Sequence, residues 1–247
     1  MSANEWFAAW FNSPYYHILY KNRDENEAKL FMSNLAEYLA IPPKATILDA
    51  ACGKGRHSAF LASNGFSVTG FDLSPNNIAE AKKNYEALIA NPYFHLDFYI
   101  HDIREPFCEN SFDYVFNLFT SFGYFETEQE NQLAINTLAK SLKKSGVLVL
   151  DFFNTAKVIN ALPQSESKII EGISFRIEKS LQGKFVVKDI FFEEKHFQER
   201  VMAISYQDFL AYFNEANLRV KQCFGSYQLA EYDAENSERM IWIAEKM

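Results

Sequence analysis

The sequence predicts an α/β fold with a doubly wound, mostly parallel sheet of seven strands, helices on both faces, and a small antiparallel β appendage. Strand and helix patterns alternate regularly between residues 45 and 152, as expected when parallel strands are joined by crossover helices. From residue 173 onwards, apolar and polar residues alternate in single steps, which is typical of an antiparallel hairpin. Only 9 Gly and 7 Pro occur in 247 residues, of which 48% are hydrophobic. This composition excludes disordered and low-complexity classes.

The parallel half of the fold is predicted from short apolar segments separated by helical patterns. The predicted strands occupy residues 45–49, 67–72, 95–101, 112–118 and 146–152. Gly65 can end the first of the intervening helices, because glycine suits a left-handed cap. Ser74 and Pro75 begin the next helix as its N-cap and first helical residue. Thr127 and Glu130 are expected to form a capping box at the start of a third helix. An earlier helix begins after residues 23–25 and ends before Pro42-Pro43. Its apolar face consists of Ala28, Phe31, Met32, Leu35 and Leu39.

The C-terminal third has a different pattern. Apolar residues alternate over 173–177 and again over 185–191, with a turn at Gln182-Gly183 between them, so we expect an antiparallel hairpin. Residues 196–204 are expected to add a third strand. The remaining elements are a helix that begins at Ser205, with Asp208 in its first turn, and strands over 218–224 and 240–244.

Charge and cysteine usage limit the class of partner and the compartment. The chain has 24 Lys+Arg against 32 Asp+Glu, a net charge of −8, which disfavours nucleic acid as a partner. Its 3 cysteines are widely spaced and form no CxxC pair, so neither a disulfide framework nor a zinc site is expected. No apolar run is long enough for a membrane helix, and the first residues lack the pattern of a signal peptide. We therefore expect a cytoplasmic protein with no membrane partner.

The segment with the most chemical information follows the first predicted strand. Asp49 ends that strand, and Gly53 and Gly55 follow it directly before a helix, where open parallel sheets bind ligands. A carboxylate at position 49 would repel a pyrophosphate but attract an ammonium group. Asp72 and Asp102 end the next two strands, where they can accept hydrogen bonds from ribose hydroxyls and from the exocyclic amine of a purine. These three positions indicate adenosine joined to an ammonium group.

This combination resembles the class I S-adenosylmethionine-dependent methyltransferases over residues 45–154, with a Rossmann-like fold. Residues 49–55 resemble the family's first motif, with Ala51 in place of its first glycine, and residues 68–74 and 112–117 resemble its second and fourth motifs. The resemblance implies that S-adenosylmethionine is the cofactor. The cofactor-binding residues that it implies, together with the acids above, are Asp49, Ala51, Gly53, Gly55, Asp72, Leu73, Asp102, Ile103, Asn117 and Leu118.

A narrower resemblance links the chain to small-molecule methyltransferases, including relatives of sugar and glycine N-methyltransferases. It is carried by residues 119–125 and by the tyrosine-rich segment 15–20. It implies that the N-terminal segment closes over the cofactor, and that Tyr20 and Arg23 reach its methionine carboxylate. Phe119, Ser121 and Tyr124 are then expected to contact the small-molecule acceptor. The protein would act mainly by positioning the acceptor and excluding water.

The acceptor atom, nitrogen or oxygen, stays open. A neutral amine needs no general base, whereas a hydroxyl would be helped by one, for which His57, His101 and Tyr124 are candidates. No residues have the spacing of a metal site, so no metal is expected. We expect a single domain over residues 1–247, either monomeric or homodimeric. Its parts are an N-terminal helical lid (1–44), a cofactor-binding core (45–154), an antiparallel insertion (168–204), and the last helix with the C-terminal strands (205–247).

Two other functions compete with this interpretation. A nicotinamide-dependent oxidoreductase has a similar sheet, but its fingerprint requires a glycine where this chain has Ser58. A non-catalytic S-adenosylmethionine-binding module would have the same glycine loop. Asp102 also has an alternative role, as half of a solvated charge pair with Arg104. The hairpin that begins near Ile173 could either cover the pocket or form a dimer contact through an exposed edge.

Overall fold

The computed structural model describes residues 10, 13–20, 25–119 and 121–247. The strands, numbered in chain order, are β1 Thr46–Ala50, β2 Ser67–Asp72, β3 His95–Ile100, β4 Phe112–Asn117, β5 Leu142–Phe153, β6 Gln164–Ile170, β7 Ile173–Gln182, β8 Phe185–Phe192, β9 Lys195–Met202, β10 Leu218–Phe224 and β11 Arg239–Lys246. Seven of them form the main sheet, in the order β3-β2-β1-β4-β5-β11-β10. β1 to β5 run parallel to one another, whereas β11 is antiparallel to both β5 and β10. The predicted fold class is confirmed.

Helices cover both faces of the main sheet. In the described residues they are α1 Pro14–Leu19, α2 Glu25–Tyr38, α3 Arg56–Ser63, α4 Pro75–Asn84, α5 Glu86–Ile89, α6 Glu128–Ser141, α7 Thr155–Asn160 and α8 Tyr206–Glu215. α2, α3 and α4 pack on one face, and α6 and α8 pack on the other. Ile47 and Leu48, adjacent in β1, are both fully buried because each faces one of these two cores. The carboxyl ends of the parallel strands therefore meet at one edge of the main sheet.

The strand β5 begins at Leu142, four residues before the predicted start at Gly146. Its register with β4 is irregular, because Phe112 pairs with Leu142 while Tyr114 pairs with Val147. Ser145 has a φ of 60° within this irregular segment. The extra residues form a bulge, which places the Lys143 Nζ 2.9 Å from Asp113 Oδ1.

Two short elements were not predicted. β6 is an exposed edge strand with the sequence QSESKII. Because most of its residues are polar, no alternation of apolar residues indicates a strand there. α7 has only six residues, too few for a helical period to be recognised. The other predicted boundaries agree with the structure to within a few residues, and the capping boxes at Thr127 and Ser205 are both formed.

The second sheet has four antiparallel strands in the order β6-β7-β8-β9. One of its faces carries a small apolar core of Phe175, Ile177, Ile190 and Phe192, against which Trp10 and α1 pack. Phe185, Val187 and Met202 join the core of the main sheet instead. The second sheet therefore links the N-terminal helix to the rest of the molecule.

No helix in the described part of the chain has the length and apolar character needed to cross a membrane. The three cysteines are free thiols, of which Cys52 and Cys223 are buried and Cys108 is exposed.

Gly55 is the glycine at which we predict the largest loss of stability on substitution. Its φ is +77°, and an added Cβ would lie 2.4 Å from Phe98 Cζ. Gly55→Ala should lower the free energy of unfolding by about 2–4 kcal/mol, since backbone strain adds to overpacking. Gly183→Ala is the matched control, because Gly183 has a φ of +58° and open space around it. The Gly183→Ala variant should lose only about 1 kcal/mol of its free energy of unfolding. Equal losses in urea denaturation would contradict the packing role of Gly55.

Candidate active site

The loop between β1 and α3 turns through left-handed backbone conformations. The φ angles of Ala51, Gly53 and Gly55 are 60°, 57° and 77°, values that glycine adopts without strain and that alanine adopts at a small cost. The Gly53 N–H donates to Asp72 Oδ2 over 2.9 Å, which fixes the loop against the end of β2. The alanine that replaces the family's first glycine is therefore compatible with the same turn.

The two predicted loop glycines have different environments. A Cβ on Gly53 would meet no atom within 4 Å, whereas one on Gly55 would overlap the ring of Phe98. Gly53 lines the pocket at this edge of the sheet, and Gly55 does not. The structure thus assigns Gly55 to the packing of the loop on β3, a role that differs from the predicted approach to a ligand.

Asp49 is almost completely buried at the end of β1. Ser58 provides its hydrogen bonds, with the hydroxyl 2.5 Å from Oδ2 and the backbone N–H as a second donor. Burial raises the pKa of Asp49 to about 6, and the nearby Asp72 charge adds to the effect. A cationic partner would offset the cost of burying the charged carboxylate. The position is therefore electrostatically suited to an ammonium group.

Asp72 accepts three hydrogen bonds at the end of β2. Its Oδ2 accepts from the Gly53 N–H, and its Oδ1 accepts from the Ser74 N–H over 2.9 Å and from Asn77 Nδ2 over 3.3 Å. Burial nevertheless raises the pKa of this carboxyl. Because a carboxylate offers about four acceptor positions, one position on Oδ2 is left for a ligand hydroxyl. The predicted acceptance from both ribose hydroxyls is therefore limited to one such bond.

These residues line a pocket of about 470 Å³ at the carboxyl edge of the main sheet, a volume typical of ligand sites. The predicted residues that it brings together are Tyr20, Asp49, Ala51, Gly53, His57, Asp72, Leu73, His101, Asp102, Ile103, Leu118, Phe119, Ser121 and Tyr124. Arg23 lies outside the described residues. Asn117 is fully buried, and its Nδ2 donates to the Ala50 carbonyl over 2.9 Å. It therefore ties β4 to β1 and does not line the pocket.

Asp102 has an ion-pair partner. Arg104 Nη2 lies 2.6 Å from Asp102 Oδ2, and Arg104 Nη1 lies 3.0 Å from Glu130 Oε1. Although partial burial would raise it, the pKa of Asp102 is lowered by the hydrogen bonds and charge of Arg104. The alternative charge pair of the sequence analysis is thus present, and Asp102 lines the pocket as well.

Tyr20 lines the pocket, but its hydroxyl has partners in the second sheet. It donates to the carboxylate of Glu199 over 2.7 Å, and Lys188 also contacts the hydroxyl. Trp10 Nε1 donates to the same carboxylate over 2.6 Å. The predicted role of Tyr20 in binding a carboxylate is therefore replaced, in this structure, by anchoring of the N-terminal segment to β8 and β9.

Two of the three candidate bases, His57 and His101, have different environments. His57 is buried, and burial together with the Arg56 charge lowers its pKa to about 3. His101 Nε2 lies 2.9 Å from the Glu105 carbonyl, and its ring packs edge-on against Phe71. At neutral pH His57 is uncharged and a weak base.

Several pocket residues were not predicted. They are Tyr16, Cys52, Lys54, Arg56, Phe71, Ser74, Pro75, Asn77, Asn84, Tyr85 and Phe125. Arg56 and Asn77 lie in the first turns of the helices that follow β1 and β2, where this topology places ligand-facing residues. That signal was available in the sequence. In the described residues, no group of three or more His, Cys, Asp or Glu is arranged to hold a metal ion.

Comparisons with known proteins agree with this arrangement. The family described as "Methyltransferase domain" matches residues 47–146. The protein YqeM of Bacillus subtilis, named as a methyltransferase, is 32% identical over 51% of this chain and 49% of its own length. The glycine/sarcosine N-methyltransferase of Parasynechococcus marenigrum is 27% identical over 91% of this chain and 78% of its own. By these comparisons the chain is similar to S-adenosylmethionine-dependent methyltransferases, and its residues 47–146 match their domain.

Two further comparisons extend over most of the chain. The dTDP-3-amino-3,4,6-trideoxy-alpha-D-glucopyranose N,N-dimethyltransferase of Streptomyces venezuelae is 24% identical over 85% of this chain and 91% of its own. The crystal structure of a S-adenosylmethionine-dependent methyltransferase from Clostridium acetobutylicum has the same fold, with a TM-score of 0.79 and 17% identity over 94% of this chain and 96% of the other. The predicted recognition, cofactor and enzyme class are confirmed.

The pocket of the methyltransferase fits S-adenosylmethionine in two respects. The space beside the Gly53 backbone is open, so a ligand can approach the main chain there. The two acids at the ends of β1 and β2 still have capacity for a cation and for a hydroxyl, respectively.

We predict that Asp72→Ala weakens S-adenosylmethionine binding to the methyltransferase by about 10- to 150-fold, the range for loss of a hydrogen bond to a charged group. Asp97→Ala is the control, since Asp97 is an exposed carboxylate on the neighbouring strand β3. Calorimetric titration of both variants, after circular dichroism confirms folding, measures the effect. Equal affinity of the Asp72 variant and the parent protein would remove Asp72 from the cofactor site.

We also predict that cofactor affinity depends on the ionisation of Asp49. Its raised pKa of about 6 means that the carboxylate is fully charged only above about pH 7. The affinity gained from an ammonium group is therefore lost as the pH falls through 6. At pH 5 binding should be about tenfold weaker, whereas the cofactor's own α-amino group titrates only near pH 8.

The control for this pH dependence is His101→Gln, because His57 and His101 are the histidines that line the pocket and burial already lowers the pKa of His57 to about 3. The variant should show the same decrease between pH 7 and pH 5. A pH-independent affinity in the variant would assign the titration to the histidine and contradict the prediction for Asp49.

Proposed function

We propose that this S-adenosylmethionine-dependent methyltransferase methylates an amine nitrogen of a small molecule. The observation that carries the proposal is the aromatic lining of the pocket beyond the glycine loop, formed by Tyr16, Tyr20, Phe119, Tyr124 and Phe125. Aromatic faces bind the cationic forms of methylated amines, and their low polarity favours the neutral amine that attacks. Two relatives, named for glycine/sarcosine and for an amino sugar, act on amines.

The environment of His57 also supports an amine over a hydroxyl. A hydroxyl acceptor must lose its proton in the transition state and benefits from a base with a pKa near 7. Burial lowers the pKa of His57 to about 3, so it cannot serve this purpose well. An amine that enters the pocket in its neutral form attacks with its own lone pair.

We assign the cofactor-binding roles as follows. Asp49 holds the ammonium group, Asp72 accepts from a ribose hydroxyl, and Leu73 packs on the adenine beside Asp102 and Ile103. When bound, S-adenosylmethionine supplies an electrophilic methyl group on a positively charged sulfur. The chain's own residues then need to hold the acceptor in line with that group and exclude water. The buried strand ends and the aromatic lining support this division of roles.

The second sheet is proposed to support the wall of the methyl-acceptor site without lining the pocket itself. Within the described residues, none of its strands lines the pocket, but Tyr16 and Tyr20 of the N-terminal segment do. This segment is held on the sheet by Glu199. We therefore propose that residues 13–20 form part of the lid predicted for residues 1–44 and that the second sheet supports them. The net charge of −8 and the free cysteines support a small acceptor and a cytoplasmic location.

The proposal is tested with pairs of compounds that differ only in the acceptor atom. Glycine is compared with glycolate, and a nucleotide-linked 3-amino sugar with its 3-hydroxy parent, with transfer of a labelled methyl group as the readout. We expect transfer to an amine and none to its hydroxyl partner. The rate below the acceptor's pKa should rise about tenfold per pH unit, since only the neutral amine reacts. Methylation of the hydroxyl compounds alone would overturn the proposal.

A further inference from the structure

Phe119 follows β4 in a backbone conformation that is unusual for its residue type. Its φ is +89°, in the left-handed region, where a bulky side chain is strained. Such strain persists only where surrounding interactions hold the residue in place. The ring lines the main pocket and also a small adjoining cavity lined by His57, Asp151 and Tyr227. Phe119 therefore separates the pocket from the protein interior.

Two side chains hold the backbone of Phe119. Its N–H donates to Asp151 Oδ2 over 2.8 Å, and its carbonyl accepts from Arg239 Nη2 over 2.9 Å. Asp151 lies on β5 and Arg239 at the start of β11. Neither residue lines the pocket. The conformation of a pocket residue is thus set by residues behind it.

Asp151 and Arg239 also bind each other. Asp151 pairs in register with Ile241, so Arg239 lies two residues away on the same side of β11. Arg239 Nε lies 2.8 Å and Nη2 2.7 Å from Asp151 Oδ1. The Tyr227 hydroxyl donates to Oδ2 over 3.1 Å. With Phe119, these contacts fill all four acceptor positions of a fully buried carboxylate.

A purely structural role would not explain this arrangement. β5 and β11 already pair in continuous register from Arg239 to Glu245, and a buried ion pair adds little net stability because of its desolvation cost. Among the described residues, both side chains of the pair hydrogen-bond to the backbone of Phe119. What the pair determines is the position of that residue.

We propose that the Asp151–Arg239 ion pair is a positioning device for the methyl acceptor, which holds Phe119 in its left-handed conformation so that the ring forms a fixed wall of the acceptor site. The inference rests on the proposed function, because it places the acceptor beside the loop after β4. The guanidinium carbon of Arg56 lies over the Phe119 ring, 5.1 Å from its centroid. The ring is therefore held through both its backbone and its face.

Arg239→Lys is the test variant. Lysine keeps the charge beside Asp151 but lacks the planar fork that reaches both the carboxylate and the Phe119 carbonyl. We expect hydrogen exchange of the Phe119 amide to become about tenfold faster, as for loss of one hydrogen bond, while exchange within β4 stays the same. This measurement needs no acceptor, so it remains informative if the proposed amine acceptor is wrong.

The second measurement is kinetic and uses whichever acceptor supports turnover. In Arg239→Lys the acceptor KM should rise about tenfold, while S-adenosylmethionine affinity changes less than about twofold, because the proposed cofactor contacts lie at the ends of β1 to β3. In a Phe119→Gly background, the same substitution should have no further effect on KM, since residues that act through one another are not additive.

Three results would overturn the inference. They are unchanged exchange at Phe119, an unchanged acceptor KM despite faster exchange, and multiplicative effects of the two substitutions. Arg219→Lys is the control for the substitution itself, since Arg219 of β10 forms an ion pair with Glu245 of the neighbouring strand β11 on the protein surface. It should leave both measurements unchanged.

Discussion

The hydrogen bond from the Gly53 N–H to Asp72 Oδ2 is the interaction on which the site depends. Together with the bond from the Cys52 N–H to the Phe71 carbonyl, 2.8 Å long, it fastens the loop after β1 to the end of β2. The loop can then keep its left-handed residues, and its backbone faces the pocket. The same bond makes burial of the Asp72 carboxylate tolerable, because buried charges require donors.

Three buried carboxylates at strand ends differ in how completely they are satisfied. Asp151 has all four acceptor positions filled and an ion-pair partner. Asp72 has three donors, and Asp49 depends on Ser58 alone. The fewer acceptor positions the protein itself fills, the more of them remain for a ligand, so this capacity increases from Asp151 to Asp72 to Asp49. It separates Asp151, whose acceptor positions are all filled by the protein, from Asp49 and Asp72, which we propose bind the cofactor.

Much of the fold and half of the site could be predicted, because both follow from local patterns. The rotation of strands and helices placed Asp49 and Asp72 at one edge, since the carboxyl ends of parallel strands meet there. The remaining features depend on long-range packing. Nothing near Tyr20 in the sequence indicates that its hydroxyl would bind Glu199, 179 residues away. The left-handed Phe119 likewise depends on donors and acceptors from β5 and β11.

The attachment of Tyr20 to Glu199 has a consequence for how such an enzyme diversifies. Among the described residues, the second sheet reaches the pocket wall through the N-terminal segment and through the Gly123 carbonyl, which accepts from the Met202 N–H over 2.7 Å next to Tyr124. The sheet shares no residue with the cofactor loop. Substitutions on this sheet can therefore tilt or shift the lid while the acids that hold the cofactor stay in place. Under the proposed roles, acceptor preference and cofactor binding reside in different parts of the chain, so natural selection can change the first without having to rebuild the second.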